Sequence, residues 1–123
     1  MHFVIDAHTL LWNLEDSPNL SNSAKDAIDD AERVFIPTIV LLEIYRILEK
    51  RKEQEKFLNF LDLLIKQGKF TIYPLSIEVV KEFIKTEKHE IHDRIIVATA
   101  KLLDVPIVTK DPEISKIYSK VIW

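Results

Sequence analysis

The stretch His2-Phe3-Val4-Ile5-Asp6-Ala7-His8-Thr9-Leu10-Leu11-Trp12-Asn13-Leu14 changes its period half-way along. Its first residues are a short apolar, β-prone run that ends on a carboxylate, and its second half places Leu10, Leu11 and Leu14 at helical spacing. A strand, His2 to Ile5, therefore runs almost directly into a helix. The same switch recurs down the chain. Val34-Phe35-Ile36-Pro37 runs into a helix over Thr38 to Lys50, and Phe70-Thr71-Ile72-Tyr73-Pro74 precedes a helix that Ser76 can cap and that carries Val79, Val80, Phe83 and Ile84. Pro106-Ile107-Val108-Thr109 is followed by Asp111-Pro112-Glu113, a helix start with proline at its favoured first position. Val121-Ile122 supplies a fifth strand. Strands that alternate with helices predict a parallel sheet covered by helices on both faces.

Three further helices fill the connections: a polar one over Asn22 to Ala31, one over Glu53 to Gln67 and one over Asp93 to Leu103. The second repeats Phe57, Leu58, Leu61, Leu64 and Ile65 on one face, and Gly68 stands where a left-handed C-terminal cap belongs. No repeat or linker interrupts the pattern, so residues 1–123 are expected to form one α/β domain. Its expected core is Phe3, Ile5, Leu10, Ile28, Phe35, Ile39, Ile44, Leu61, Leu64, Ile72, Ile96, Val97, Ala100 and Ile107.

Composition removes several chemistries. Gly68 is the 1 glycine of the chain, which excludes the glycine-rich loops that bring backbone close to a pyrophosphate. With 0 cysteines there are no disulfides, thiolate zinc sites or cysteine nucleophiles, which is compatible with a reducing compartment. The longest run without a charged side chain, Val34 to Leu42, falls well short of the about 20 residues a bilayer span needs. Met1-His2-Phe3-Val4-Ile5-Asp6 lacks the basic and then apolar pattern of a secretory signal, so the expected location is cytoplasmic and away from membranes. A net charge of -3 argues against a general phosphate-coating protein, but not against a nuclease whose carboxylates hold cations.

In open α/β sheets ligands bind beyond the carboxyl ends of the strands. Asp6 ends the first strand, Asp111 lies just past the fourth, Asp93 opens the helix between the third and fourth, and Glu43 sits in the helix after the second. Each aspartate can be read as a helix cap. Glu43 is less easily explained, because it interrupts Ile39-Val40-Leu41-Leu42-Glu43-Ile44-Tyr45, a helix apolar nearly all round and so expected to be buried on most faces. A charge there costs several kcal/mol, roughly, unless it is paired, for instance to Arg46, or binds a metal. Converging carboxylates repel and protonate unless a divalent cation neutralises them. Mg²⁺ and Mn²⁺ prefer oxygen ligands and need few carboxylates each, so these acids suit one or two such ions.

The residues that raise this possibility also carry a resemblance along essentially the whole chain. Val4 to Trp12, Leu42-Glu43-Ile44, His92-Asp93-Arg94-Ile95-Ile96-Val97-Ala98-Thr99-Ala100 and Val108-Thr109-Lys110-Asp111 resemble the ordered motifs of the PIN-domain ribonucleases, and within them the VapC-type toxins of prokaryotic toxin–antitoxin pairs. The resemblance implies a PIN-like three-layer α/β/α sandwich with a central, mostly parallel sheet of four to five strands. It implies that Asp6, Glu43, Asp93 and Asp111 form a catalytic quartet around one or two Mg²⁺ or Mn²⁺ ions. Such a site hydrolyses RNA phosphodiesters by in-line attack of water, leaving a 5′-phosphate and a 3′-hydroxyl. Thr9 and Thr109 match supporting hydroxyl positions, and Glu90 matches the spacing of a second acid found in many relatives, where it is either an auxiliary ligand or a solvated charge. The implied partners are RNA, an antitoxin protein and a second copy of the chain, with the helix pair around Tyr45 and Phe57 as a plausible surface.

Other features were open to two readings. Arg46, Lys50, Arg51 and Lys52 either favour a helix C-terminus or form a track for RNA backbone, and Lys110 either touches phosphate or neutralises Asp111. His89-Glu90-Ile91-His92 is one residue short of a zinc-protease HExxH, so its histidines are expected on the surface at the start of a helix. Trp12 and Trp123 suit base stacking or packing. A receiver-type phosphoacceptor module is the alternative of another class, but it needs an aspartate at the end of its central strand, and the third strand ends in Pro74. A catalytically inactive PIN-like scaffold would have lost an acid, whereas all four are present.

Overall fold

In the computed structural model, which describes residues 1–123, the strands β1 (His2–Ile5), β2 (Arg33–Pro37), β3 (Phe70–Tyr73), β4 (Ile107–Val108) and β5 (Val121–Ile122) form one five-stranded sheet. Every pairing is parallel, and the spatial order is β3-β2-β1-β4-β5. Phe3 stands opposite Val34 on one side, and Ile5 opposite Val108 on the other. Phe3, Val4 and Ile5 are wholly buried, as a central parallel strand covered on both faces requires. The connections carry α1 (Ala7–Leu14), α2 (Asn22–Asp30), α3 (Thr38–Lys50), α4 (Phe57–Lys66), α5 (Ile77–Lys85), α6 (Ile91–Leu103) and the single turn α7 (Pro112–Ser115).

The chain winds outward from β1 through β2 to β3, then crosses back to place β4 and β5 on the far side of β1. Right-handed crossovers then put α1 to α4 on one face and α5 and α6 on the other, and α1 packs on α3 while α5 packs along α6. The reversal has a consequence for function. It leaves a crevice at the carboxyl ends of β1 and β4, where strand order changes direction.

Local signals explain most of the elements. Ser21 caps α2 by accepting the Ala24 N–H at 3.1 Å, and Ser76 caps α5 by accepting the Val79 N–H at 3.3 Å. Helix α6 is buried along its length from Ile95 to Ala100. Ile96, Val97 and Ala100 join the main core under the sheet, while Ile95 and Ala98 close a smaller core with Val79 of α5. Leu10 is wholly buried in the main core, and cutting such a side chain back to alanine costs about 2–5 kcal/mol.

Several expectations need correction. Gly68 is not a left-handed cap, since no glycine has a positive φ and Gln67 ends α4 in an extended conformation, turning tightly into β3 through the Phe70 N–H to Gln67 carbonyl bond. Left-handed backbone follows other helices instead: Asp104 caps α6 at φ 54, and Asp16 and Lys52 take φ 52 and φ 58 just past α1 and α3. The helix expected from Glu53 begins as a 3₁₀ turn over Gln54–Lys56 and becomes α-helical only at Phe57. Ile72 is 41% exposed because β3 is an edge strand, and Phe35, Ile39 and Leu61 are half-buried. Nor is α3 buried on most faces, since Leu42 is 62% exposed. No helix is long and apolar enough to cross a membrane.

Candidate active site

Asp6 lies at the centre of the crevice. It is only 7% exposed, and both of its oxygens are engaged. Oδ1 accepts the Thr9 N–H at 3.1 Å, which makes Asp6 the N-cap of α1, and Oδ2 accepts the hydroxyl of Thr109, just beyond β4. The Thr109 oxygen in turn accepts the Asp111 N–H at 3.0 Å, and Asp111 Oδ1 accepts the Glu113 N–H at 2.9 Å to cap α7. The capping readings of Asp6 and Asp111 are therefore realised. A carboxylate has about four lone-pair sites, so a cap does not exhaust it. Burial pushes the Asp6 carboxyl above its usual range, against the pull of the Thr109 hydroxyl and the Thr9 N–H. The Thr9 hydroxyl is buried without a hydrogen-bond partner.

Glu43 enters from α3. Its Oε1 is buried with no hydrogen-bond partner, and the ion pair to Arg46 considered from the sequence does not form. Burial pushes its carboxyl up to about 7, with Asp93, Glu90 and Asp6 adding to the rise and His92 opposing it. Asp93, in the first turn of α6, is pushed up to about 6 by burial and then by Asp111, Glu90 and Asp6, with His89 opposing. These mutual influences link Asp6, Glu43, Asp93 and Asp111, which come from four separate segments of the chain.

Residues around the four acids depart from their sequence readings. Asp93 does not cap α6; Glu90 does, accepting the His92 N–H at 2.9 Å and the Asp93 N–H at 3.0 Å. Glu90 is exposed, in keeping with a solvated charge, and spends its carboxylate on this cap. Burial raises its pKa, but those backbone N–H groups and His92 outweigh it and leave the carboxyl below its ordinary value. His89 is not a surface residue, with its side chain 17% exposed and its Nε2 3.3 Å from Glu113 and 3.8 Å from Asp93. No signal in the sequence pairs His89 with Glu113, because the two lie on different elements.

Two open clefts meet at His8, which the sequence reading did not single out. One, of about 420 Å³, is lined by Asp6, Thr9, Trp12, Lys110, Asp111 and Pro112 together with His8. The other, of about 470 Å³, is lined by Glu43, Arg46, Lys50 and Arg51 together with His8. Arg51 is partly engaged, its Nη1 lying 3.0 Å from a Glu15 oxygen. Lys110 is exposed and lies 5.9 Å from the Trp12 ring centre. Lys52 is also exposed and takes a left-handed conformation just past α3.

The donor set fits a hard divalent cation: several carboxylates, raised proton affinities and one buried, unpartnered carboxylate oxygen on Glu43. No three of the Asp, Glu and His side chains stand close enough together to hold a metal ion among them. Mg²⁺ does not need three, because it keeps several waters.

A family model described as the PIN domain matches residues 3–120, and the chain belongs to that family. Comparison with solved structures finds the same fold in VapBC2 from Rickettsia felis bound to a promoter DNA fragment, at 17% identity and a TM-score of 0.74, covering 98% of this chain and 96% of that one. A toxin–antitoxin complex from Klebsiella pneumoniae is similar at 18% identity and a TM-score of 0.69, with coverage of 98% and 96%. VapC20 of Mycobacterium tuberculosis, described as a sarcin–ricin loop cleaving toxin, is similar at 11% identity and a TM-score of 0.70, covering 94% of each chain. Comparison with curated protein sequences returns no significant match.

Family membership also disposes of the receiver alternative, and for a different reason from the one the sequence suggested. The third strand is an edge strand, and the central strand, β1, does end in an aspartate.

Proposed function

We propose that this chain is a metal-dependent endoribonuclease of the cytoplasm and the toxin of a toxin–antitoxin pair, with Asp6, Glu43, Asp93 and Asp111 as its catalytic and metal-holding acids. The observation that supports the reading most is the meeting of these acids at the sheet's switch point, where burial raises the proton affinities of Asp6, Glu43 and Asp93 and neighbouring acids raise those of Glu43 and Asp93 further. A cluster of one buried and three half-buried carboxylates is costly as a purely structural feature and reasonable as a cation site. One or two Mg²⁺ or Mn²⁺ ions held there would neutralise developing charge and make water a usable nucleophile near neutral pH.

The side chains divide the remaining work. Asp6, fixed by Thr109 and the start of α1, sets the position of the site relative to the sheet. Glu43, with its unpartnered Oε1, offers an oxygen to a cation from α3. Arg46 and Lys50 line the adjoining cleft and meet phosphates on one side, and Lys110 does so on the other. Glu90 acts through α6, whose first turn it caps and so orients Asp93.

The relatives described as toxin–antitoxin complexes support a protein partner. Helices α3 and α4 offer the apolar area such a partner would cover. Leu42 and Leu58 are exposed there, and Tyr45 and Phe57 pack edge to face at 5.1 Å. Leu75, Val80 and Ile91 form a separate exposed apolar patch against α5 and α6, available to a second copy in a homodimer.

The test is cleavage of structured RNA with Mg²⁺ or Mn²⁺ by the parent protein and by Asp6→Asn and Asp93→Asn. The expected result is cleavage by the parent, abolished by chelator and lost in both variants. Activity that survives both substitutions, or a parent inert on every RNA class, overturns the assignment.

A further inference from the structure

Trp12 is placed more informatively than a core tryptophan. It lies on α1 four residues after His8, so the two rings share a helix face, and their centroids are 5.8 Å apart at a tilt of 54°. Trp123, just past β5, also packs on it, with ring centroids 6.0 Å apart at 58°. The indole is half-buried and supplies the only large apolar surface among the seven residues lining the cleft that contains Asp6 and Asp111. At 1.5 Å per residue it lies about 9 Å along α1 from Asp6. The Lys110 ammonium sits 5.9 Å from the ring centre, next in sequence to Asp111.

An aromatic face beside a cation, opening into the cleft that holds the acids, is the arrangement that receives a nucleobase and its phosphate. Packing alone accounts for the contact with Trp123. It gives no reason for the ring also to form the wall of a polar cleft shared with Asp6 and Asp111.

Resting on the nuclease reading above, we propose that Trp12, braced by Trp123 and flanked by His8, is a base-stacking subsite beside the acids, with Lys110 contacting the adjacent phosphate. Such a subsite takes a nucleotide whose base is unstacked from its neighbours. A continuous duplex keeps its bases stacked on each other and cannot offer one.

The chain has 2 tryptophans, so Trp123→Phe leaves Trp12 as the sole indole reporter. In that background, with Asp93→Asn added to stop turnover, Trp12 emission is followed during titration with hexaadenylate, with a hexameric abasic ribose-phosphate strand and with a blunt RNA duplex, all in Mg²⁺. Hexaadenylate is expected to quench saturably, and the abasic strand and the duplex are expected to bind without quenching. Separately, Trp12→Ala is expected to weaken hexaadenylate binding by about 5- to 150-fold, the range for losing one stacked base, and Trp12→Phe to recover most of it.

Equal affinity for hexaadenylate and the abasic strand, quenching by the duplex, no quenching at all, or a folded Trp12→Ala protein of undiminished affinity would each overturn the subsite. The readout needs no cleavage, so the two readings fail separately. Quenching by a protein whose parent cuts no RNA sinks the nuclease, whereas cleavage by a parent whose Trp12 stays unquenched sinks only the subsite.

Discussion

Replacing Glu43 by glutamine should make the metal-free protein more stable at alkaline pH while removing its activity. The reasoning starts from a carboxyl whose pKa rises from 4.5 to about 7 on folding, chiefly through burial. At 1.36 kcal/mol per pKa unit that rise corresponds to ~3.4 kcal/mol. The side chain is partly open to water, and solvent screening reduces the usable figure to roughly 1.5 kcal/mol. The sign follows from proton counting. Between pH 4.5 and about 7 the folded protein retains a proton that the unfolded chain has released, so stability falls as pH rises through that window and levels off above it. Glutamine mimics the protonated acid at every pH. Parent and Glu43→Gln should therefore match below about pH 4.5 and diverge to roughly 1.5 kcal/mol at pH 8, which for a chain of this size is about 5–7 °C in Tm. Asp93, pushed up to about 6, gives both proteins a background slope of the same sign. The assay is thermal unfolding by circular dichroism in chelator from pH 4 to 8.5, repeated with Mn²⁺. Added Mn²⁺ should stabilise the parent more at pH 8 than at pH 5, because ligand carboxyls must lose protons to bind, and should stabilise the variant less. A gap that does not change with pH, or a variant less stable than the parent at pH 8, would refute the claim that Glu43 is held at a desolvated site.

The other residues separate structure from chemistry in different ways. Asp111→Ser keeps an N-cap for α7 while Asp111→Ala removes it, so both should lose RNA cleavage but only the alanine variant should lose stability, about 1 kcal/mol by urea denaturation. Thr109→Val takes the hydroxyl from Asp6 and the acceptor from the Asp111 N–H, and should cost about 1–3 kcal/mol, with Thr109→Ser recovering most of it. Arg46→Ala and Lys50→Ala, which line the cleft beside Glu43, should each weaken binding of an uncleavable RNA across sequences and reduce the slope of log K against log salt by about 1, whereas a role confined to the end of α3 would leave that slope unchanged.

Features decided by one element could be read from the sequence, and features decided by two could not. Asp6 and Asp111 stood out because each sits at a strand end and at a helix start, and both positions can be recognised from neighbouring residues. Glu43 stood out because a charge interrupts an apolar run. That reasoning picked out Glu43 from a premise about α3 that the structure does not bear out, since the outward side of α3, at Leu42 and Tyr45, is left exposed. The failures share a cause. Ile72 has the pattern of a core strand, but burial depends on a neighbour that β3, at the sheet's edge, lacks on one side. Sequence order likewise suggested that the third strand would be central, and the reversal after β3 gave that place to β1. Gly68 looked like a cap because it follows a helix, but the tight turn into β3 needs no positive φ, so the one glycine of the chain marks no strained position. His89 took its place only when α7 brought Glu113 to it. The acids themselves show the same division. Each alone is a cap or a partly buried charge with an ordinary account, and the raised proton affinities of Glu43 and Asp93 arise in part from acids contributed by other segments. The raised proton affinities are therefore a property of the crevice, and of the strand order that creates it, more than of any one motif.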